Sequence, residues 1–231
     1  MGFFSDSLIS ALKLLVALDP DLLKIVGVSL KVSTISTGIA ALIGVPAGFV
    51  IAIRSIPFKP AVITVLNTLL ALPTVVIGLF LYTFISRRGL FGPLDLLYTQ
   101  NAIVIGQIIL ILPIVMAFTI SAISRIDTRY RKTALMLGAS QFQAACVILR
   151  EARFGIVAAI VAAFGRVISE VGISMILGGN IQGFTRTMTT AIALEYDTGE
   201  FIQAVALGII LLAISLSVNI MLNYVQGRVS R

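Results

Sequence analysis

The sequence contains no histidine and a single cysteine, Cys146. It can therefore form no disulfide framework and no zinc site built from cysteine and histidine, and it lacks the Ser–His pair of a hydrolase. The phosphate-binding pattern Gly-x-x-x-x-Gly-Lys-Ser/Thr is also missing, so the chain should not bind ATP through such a loop. We predict that the chain is not an enzyme and holds no catalytic, cofactor-binding or metal-binding residue. Cys146 is expected to be a small, buried apolar residue.

Charged residues are scarce as well, at 12% of 231 residues, whereas 58% are hydrophobic and the mean hydropathy is +1.09. A soluble domain needs far more polar surface, so the composition predicts that lipid is the solvent. A helix needs roughly 20 apolar residues to cross a membrane. The sequence predicts an all-α membrane protein of about five transmembrane helices, at Leu30 to Ile53, Ala61 to Ile85, Ala102 to Ile123, Ile156 to Leu177 and Phe201 to Leu222.

Small residues recur every four positions in the first span, at Ala40, Gly44 and Gly48, which would let another helix approach closely. That helix could belong to the same subunit or to a second copy of the chain. One proline interrupts each of the first three spans, where it removes a backbone hydrogen bond and can kink the helix. These prolines are Pro46, Pro73 and Pro113.

The predicted spans divide the chain into three parts. Residues 1–29 form an N-terminal segment in which Ser7 to Leu18, too short to cross a membrane, is expected to lie as a helix at the surface. Residues 30–222 form the transmembrane domain, which includes a polar loop at residues 125–155, and residues 223–231 form a C-terminal tail. The first 20 residues lack a basic stretch and a small-residue cleavage site, so a removable signal peptide is not expected.

The net charge of +7 is distributed unevenly over the loops. Five spans place alternate connections on opposite faces of the membrane. One set, at residues 54–60, 124–155 and the C-terminal tail, carries ten basic residues and two acidic ones, and the other set carries five basic and seven acidic residues. The positive-inside rule predicts that the first set is cytoplasmic, with the N-terminus outside and the C-terminus in the cytoplasm. No nucleic-acid partner is expected, because the basic residues are spread over loops on one face.

The polar loop from Arg129 to Ile156 is predicted to form two short helices broken at Gly138. Ser140 followed by Gln143 is a capping-box pattern, which places the start of the second helix near Gln141. Such a loop could dock a soluble partner or pack on the membrane face, and the pattern alone favours neither. Its apolar residues would lie beside basic ones and are Leu135, Met136, Leu137, Phe142 and Val147.

This loop resembles the cytoplasmic coupling loop of ATP-binding-cassette (ABC) importer permeases, whose pattern contains Glu-Ala-Ala, then Gly, then Ile-x-Leu-Pro. Two residues depart from the pattern, since Lys132 replaces the acid and Arg150 replaces the proline. The resemblance implies that residues 134–149 dock in a cleft of a separate ATPase subunit, which would hold ATP and magnesium. It also implies which residues act in coupling. Lys132, Thr133 and Ala134 occupy the Glu-Ala-Ala positions of the pattern, Gly138 occupies the Gly position, and Val147 and Leu149 occupy the Ile and Leu positions. Ala139, Ser140 and Phe142 lie between these matched residues.

The fourth span carries a close pair of opposite charges, Arg166 and Glu170, four residues apart on one helix face. Charges at membrane depth are costly unless paired, so the pair is expected to face the interior or a water-filled path, or to hold the bundle as a structural salt bridge. The segment beyond this span offers one positive charge and several hydroxyls, which suits an oxyanion better than a metal cation. It could equally be a plain surface loop. Its candidate residues are Gly178, Gly179, Asn180, Thr185, Arg186, Thr187, Thr189 and Thr190.

The stretch FGRVISEVGISMILGGN, followed by TRTMTTAIALE, is similar to the fourth-span and gating segments of tungstate-uptake permeases, and more loosely to those of molybdate and sulfate permeases. The likeness covers nearly the whole chain. It implies a type I ABC importer permease bundle in the cytoplasmic membrane of a prokaryote, with a gate near Gly178 to Thr190. It also implies a homodimer in membrane lipid, cytoplasmic ABC ATPase subunits and an extracytoplasmic oxyanion-binding protein.

Other functions stay open from the sequence. The cargo could be molybdate or sulfate, because in systems of this kind the binding protein largely sets the selectivity. A channel or secondary carrier that works without an ATPase is disfavoured. Five spans are few for a carrier built from paired repeats, and no clear internal repeat is visible.

Overall fold

The computed structural model describes residues 13, 17, 19–54 and 57–227, and it describes the side chain of Tyr224 but not the other side chains from 221 onward. The surface helix predicted at Ser7 to Leu18 falls almost wholly outside these residues. Nine helices and one 3-10 turn at Gly92–Leu94 form the described part of the chain. In chain order the helices are α1 (Pro20–Ile53), α2 (Lys59–Leu69), α3 (Thr74–Ile85), α4 (Gln100–Ser124), α5 (Thr128–Met136), α6 (Gln141–Ile168), α7 (Gly172–Gly178), α8 (Met188–Thr198) and α9 (Phe201–Gly227).

Three helices, α1, α4 and α9, are long and apolar enough to cross a membrane on their own. The bent pairs α2–α3 and α6–α7 bring the number of candidate spans to five, which agrees with the predicted count. Helix α1 begins ten residues earlier than the predicted span, because the Asp19 carboxylate accepts the backbone N–H groups of Asp21 and Leu22 and Pro20 starts the helix. Its 34 residues extend for about 51 Å, well beyond a ~30 Å hydrocarbon layer.

The second predicted span is broken rather than kinked. Helices α2 and α3 meet at 96°, and Pro73 stands immediately before α3. Proline lacks the N–H that would continue the hydrogen bonds of α2, so a new helix starts at Thr74. Pro46 and Pro113 lie inside α1 and α4, and both of those helices continue past them.

The fourth predicted span and the second helix of the polar loop form one continuous helix, α6, of 28 residues. The prediction of a short second helix was therefore wrong. No proline interrupts residues 141–168, and Gly155 does not end the helix. A Cβ added at Gly155 would lie 2.6 Å from the Ala122 Cβ, so this glycine lets α6 approach α4 closely. After Ile168 the chain turns by 59° into α7.

Helices α1 and α4 form the centre of the bundle. A Cβ at Gly44 would lie 2.9 Å from the Val115 Cγ1, and a Cβ at Gly48 would lie 2.8 Å from the Met116 carbonyl oxygen. Close packing of this kind stabilises helices in lipid, where the hydrophobic effect contributes little between them. The small residues of the first span therefore serve packing within the subunit, as one of the two alternatives predicted.

The bundle has two distinct ends. At the end that carries α5, Ile53, Ile123 and Ile148 share one apolar cluster. At the end that carries α7, Gln100 at the start of α4 contacts Phe184. Helix α4, about 37 Å long, separates these ends. The described loops of the two sets that the spans assign to opposite faces thus lie at opposite ends of the bundle.

Candidate functional site

The two helices of the predicted coupling loop meet at Gly138, which adopts φ +86°. The N–H groups of Gly138 and Ala139 donate to carbonyl oxygens of α5, which ends that helix. Helix α6 then starts with the predicted capping box. The Gln143 N–H donates to the Ser140 Oγ at 3.2 Å, and the Ser140 N–H donates to the Gln143 Oε1 at 2.8 Å. The break at Gly138 and the start of the second helix at Gln141 are confirmed.

The tip between α5 and α6 exposes large apolar side chains. Met136, Leu137 and Phe142 are 85%, 82% and 78% exposed. The tip has a defined shape, because the Arg131 guanidinium donates to the Gln141 Oε1 at 2.9 Å and ties the two helices together. A preformed apolar surface with basic neighbours is suited to a protein partner. We call residues 128–149 the coupling element.

The remaining coupling residues divide by exposure. Lys132, Thr133, Gly138 and Ser140 are exposed, and Ala134, Ala139, Val147 and Leu149 are partly buried. Cys146 is exposed, so the prediction that it is buried was wrong. Helix α6 buries Ala144 and Ile148, which are four residues apart and lie on one face of the helix. Cys146 is midway between them in the sequence, so its side chain points away from that face.

Glu170 lies at the break between α6 and α7 and is only 3% exposed. Its Oε2 accepts from the Arg166 guanidinium at 2.7 Å, and its Oε1 accepts the N–H of Ile173 in the first turn of α7 at 3.2 Å. Its backbone carbonyl accepts the Thr189 hydroxyl at 2.7 Å. The side chain of Arg166 remains 39% exposed. One carboxylate therefore neutralises a partly exposed cation at membrane depth and also caps α7.

The threonines beyond α7 are buried, so the reading of this segment as a plain surface loop was wrong. The Thr185 hydroxyl donates to the Gly178 carbonyl at 2.6 Å and accepts the Ile181 N–H at 3.0 Å. Thr187 and Thr190 form a capping box that starts α8. The hydroxyls predicted to face an anion are thus bonded to protein groups in this conformation, and their contact with cargo stays a prediction.

Some other polar groups of this segment have fewer or longer hydrogen bonds. Arg186 is partly buried, and its Nε has no hydrogen-bond partner among the described residues. The Asn180 side-chain amide donates to the Thr190 carbonyl at 3.4 Å, and Asn180 itself has φ +50°. The Met188 N–H donates to the Ser29 Oγ of α1 at 2.6 Å. This last hydrogen bond joins the segment at residues 178–190, which we call the gate segment, to α1.

The two glycines that open the gate segment are needed for close contacts. A Cβ at Gly178 would lie 2.6 Å from the Ile103 Cδ1 of α4. Gly179 has φ +70°, and a Cβ there would lie 2.6 Å from the ring of Tyr98. Neither position has room for a side chain.

Sequence reasoning missed Tyr98 and Gln100, which precede and begin α4. The Tyr98 N–H donates to the Leu177 carbonyl at 2.8 Å, and the Gln100 side-chain amide donates to the Phe184 carbonyl at 2.6 Å. The pKa of Tyr98 is raised above its usual value, first by electrostatic interaction with the neighbouring Tyr82 and then by the partial burial of its own phenol and a hydrogen bond with Tyr82. No periodic pattern marks these residues, because their partners lie about 80 positions away in the sequence.

A bundle of intact and broken spans, with an apolar coupling element at one end and a tightly packed glycine-rich segment at the other, has the architecture of a membrane-spanning transport subunit. The chain belongs to the family of binding-protein-dependent transport system inner membrane components, whose model matches residues 44–231. Membership identifies an inner-membrane component that works with a binding protein and an ATPase. The predicted ABC importer permease is confirmed.

Three curated relatives match most of the chain. A tungstate uptake system permease protein from Peptoclostridium acidaminophilum is 36% identical over 98% of this chain and 99% of its own length. A probable anion ABC transporter permease protein from Haloferax volcanii is 40% identical over 86% of this chain and 88% of its own length. The molybdenum transport system permease protein of Escherichia coli is 26% identical over 88% of this chain and 92% of its own length.

A solved structure shares the fold. A chain of the inward-facing MetNI methionine ABC transporter superposes with a TM-score of 0.72, covering 91% of this chain and 96% of that chain, at 17% sequence identity. This similarity confirms the predicted type I importer permease bundle.

Proposed function

We propose that this chain is the permease subunit of an ATP-driven importer that moves tungstate across the cytoplasmic membrane by alternating access. The identity of the cargo is inferred from sequence similarity. The chain is 36% identical to a tungstate uptake permease over almost the whole of both chains, against 26% to a molybdenum permease. Molybdate and sulfate are the alternative cargoes, because both are tetrahedral dianions like tungstate.

The proposed orientation places the α5 end in the cytoplasm and the α7 end outside. The support is the charge distribution, with ten basic and two acidic residues in the loop set that includes the coupling element. In this orientation Met136, Leu137 and Phe142 are presented to a cytoplasmic ATPase subunit. ATP and magnesium are bound there, and this chain carries out no chemistry of its own.

A homodimer completes the pathway in this proposal. Five spans form a small bundle, and two copies give ten helices around a two-fold axis. Arg166 supports a pathway at the subunit boundary, because a guanidinium that is 39% exposed on a spanning helix is costly against lipid and stable beside water. Its charge would attract a dianion, and Glu170 would keep that attraction weak enough for release.

Helix α6 provides the mechanical link between coupling element and gate segment. Its 28 residues form a rod of about 42 Å that starts in the coupling element and ends at the break held by Glu170. A displacement imposed at Phe142 by closure of the ATPases is carried along this rod to α7, because the helix is continuous and contains no proline at which it would kink sharply. ATP binding would thus bias a two-state bundle toward its outward-open arrangement, and hydrolysis would reset it.

The test is reconstitution of the permease with its ATPase and binding protein in liposomes. We expect the ATPase to copurify with the permease, and we expect tungstate uptake to require both ATP and the binding protein. Uptake in liposomes that contain the permease alone, or failure of any ATPase to copurify, would contradict the proposal and favour a channel or secondary carrier. Competition by molybdate and sulfate in the same assay distinguishes the alternative cargoes.

A further inference from the structure

A cleft of about 750 Å³ opens at the α7 end of the bundle, beside the gate segment. Its lining comes from the end of α3 and from the loop that leads to α4, and it includes Tyr82, Arg87, Arg88, Asp95 and Tyr98. Arg87 and Arg88 are exposed, and neither forms an ion pair with any described residue. Two arginines against one aspartate make the cleft basic, so it favours an acidic ligand.

The size of the cleft argues against the cargo ion as its occupant. A tetrahedral oxyanion has five heavy atoms, whereas cavities of roughly 300–1,000 Å³ hold ligands the size of a drug molecule or a short peptide segment. An acidic loop of a protein partner fits both the volume and the charge.

Tyr98 connects this cleft to the gate segment. The residue lines the cleft, its N–H bonds to the Leu177 carbonyl, and its ring occupies the space that a Cβ at Gly179 would need. Gln100, two positions later, holds the Phe184 carbonyl. A ligand that enters the cleft therefore meets a side chain that is already in contact with the first residues of the gate segment.

The backbone of this loop is held in place by those contacts. Tyr98 has φ +62° and Asp95 has φ +44°, left-handed backbone conformations that are uncommon for residues other than glycine. Such backbone persists only where neighbouring contacts impose it, and it is often found where a segment switches between two arrangements. The loop and the gate segment are thus positioned to change together.

We propose that this cleft receives an acidic loop of the extracytoplasmic binding protein and that Tyr98 is the positioning residue that transmits docking to the gate. The proposal rests on the proposed function, since it requires the α7 end to face outward. It assigns a role to Arg87, Arg88, Tyr98 and Gln100, which lie outside the predicted coupling and gate residues.

The experiment uses the complete transporter in lipid nanodiscs, titrated with the binding protein of the same system loaded with tungstate. In the double variant Arg87→Glu/Arg88→Glu, the binding-protein concentration that half-maximally stimulates ATPase activity should rise at least tenfold. Basal activity and maximal stimulation should stay at wild-type values. Lys24→Glu is a control for charge reversal outside the cleft, because Lys24 is an exposed cation at the start of α1, where it pairs with Asp21, and its replacement should leave the half-maximal concentration unchanged.

Variants of Tyr98 test the transmission step. Tyr98→Ala removes the ring that packs on Gly179 and should lower maximal stimulation at least fivefold at saturating binding protein, with basal ATPase activity retained. Tyr98→Phe keeps the ring and should restore most of the stimulation. Retained basal activity shows that each variant is folded and assembled.

Several results would overturn the inference. An unchanged half-maximal concentration in the double variant would show that the binding protein does not dock in this cleft. In the double variant, a loss of stimulation that saturating binding protein does not correct would mean that Arg87 and Arg88 do not act in docking. Full stimulation of Tyr98→Ala would exclude transmission through its ring. A wild-type transporter that the binding protein does not stimulate would instead refute the proposed function itself.

Discussion

Glu170 shows how one buried carboxylate can serve two elements at once. Its two oxygens are divided between the Arg166 guanidinium and the first turn of α7, and its backbone carbonyl holds Thr189. Removal of a partner from a charge at membrane depth leaves the other charge uncompensated, which costs several kcal/mol unless water reaches it. Because Arg166 is 39% exposed, we expect water to screen part of that cost.

The variant Glu170→Gln tests the charge of this residue separately from its hydrogen bond to the first turn of α7. A glutamine carbonyl can still accept the Ile173 N–H, but it cannot neutralise Arg166. We expect tungstate to be held more tightly, so that both the KM and the kcat of uptake fall, the latter by about tenfold, or ~1.4 kcal/mol. The measurement is uptake kinetics in proteoliposomes at saturating binding protein.

The control for this variant is Glu200→Gln, which removes an exposed carboxylate at the same end of the bundle. It should leave both kinetic constants unchanged. If Glu170→Gln lowers uptake only in proportion to the amount of assembled protein, with an unchanged KM, the pair is a structural salt bridge and the pathway role is refuted.

The sequence could predict this site only in part. Arg166 and Glu170 are four residues apart, so their pairing follows from helix geometry. The partners of the threonine segment do not, since Thr189 bonds to a carbonyl 19 residues away and Met188 bonds to Ser29, 159 residues away. Such contacts arise from tertiary packing, which composition and periodicity do not encode.

At the scale of elements, the coupling element depends on a glycine with a left-handed conformation. Gly138 ends α5 with φ +86°, and no atom lies within 4 Å of the position that its Cβ would take. Space therefore permits a side chain there, and only the backbone conformation and the docking surface resist one.

Gly138→Glu should abolish the ATPase activity that the binding protein stimulates while the permease still inserts in the membrane. The carboxylate would introduce charge into the surface formed with Met136 and Leu137, in addition to a backbone cost of roughly 1–2 kcal/mol. Stimulated ATPase activity of the reconstituted complex measures the effect.

Gly199→Glu provides a matched control. Gly199 ends α8 with φ +85° and also has no atom within 4 Å of its Cβ position, so the same substitution carries the same backbone cost away from the coupling element. Gly199→Glu should keep stimulated activity. Equal loss in both variants would show that strain, rather than docking, explains the Gly138 result.

The α1–α4 interface gives a second prediction for an element. Gly48→Ala would place a methyl group 2.8 Å from the Met116 carbonyl oxygen, and overpacking of this kind costs about 1–3 kcal/mol. Gly38→Ala in the same helix meets no atom within 4 Å and should be neutral or stabilising. Thermal unfolding of the detergent-solubilised protein compares the two, and equal melting temperatures would contradict the close packing.

The elements differ in how far the sequence predicts them. Proline predicts the place of the α2–α3 break, but the 96° angle depends on how both helices pack against their neighbours. The continuity of α6 was missed because its first half is polar and its second half is apolar. Hydropathy marks where a helix enters lipid, not where the helix begins, so one helix was read as two.

At the scale of the whole molecule, the surface is consistent with lipid as solvent. Large apolar side chains on several helices are exposed, among them Leu42 at 76%, Phe80 at 65% and Leu212 at 72%. Exposed apolar area of this extent in water would promote aggregation. The apolar 18-residue stretch of α9 is only 11% buried, which leaves this helix a broad face for lipid or for a second copy of the chain.

The central claim is that the coupling element lies in the cytoplasm, where it receives force from a separate ATPase. Cys146 is the only cysteine of the chain, it is exposed, and it lies in the coupling element eight residues after Gly138. The wild-type protein therefore carries its own reporter of orientation.

Labelling of Cys146 with a membrane-impermeant maleimide is the most direct test. We expect labelling in inside-out membrane vesicles and none in intact spheroplasts. Glu200→Cys in a Cys146→Ser background, which moves the thiol to an exposed position at the α7 end, should give the opposite pattern. Labelling of wild-type Cys146 from outside intact spheroplasts would contradict the orientation and, with it, the proposed coupling to a cytoplasmic ATPase.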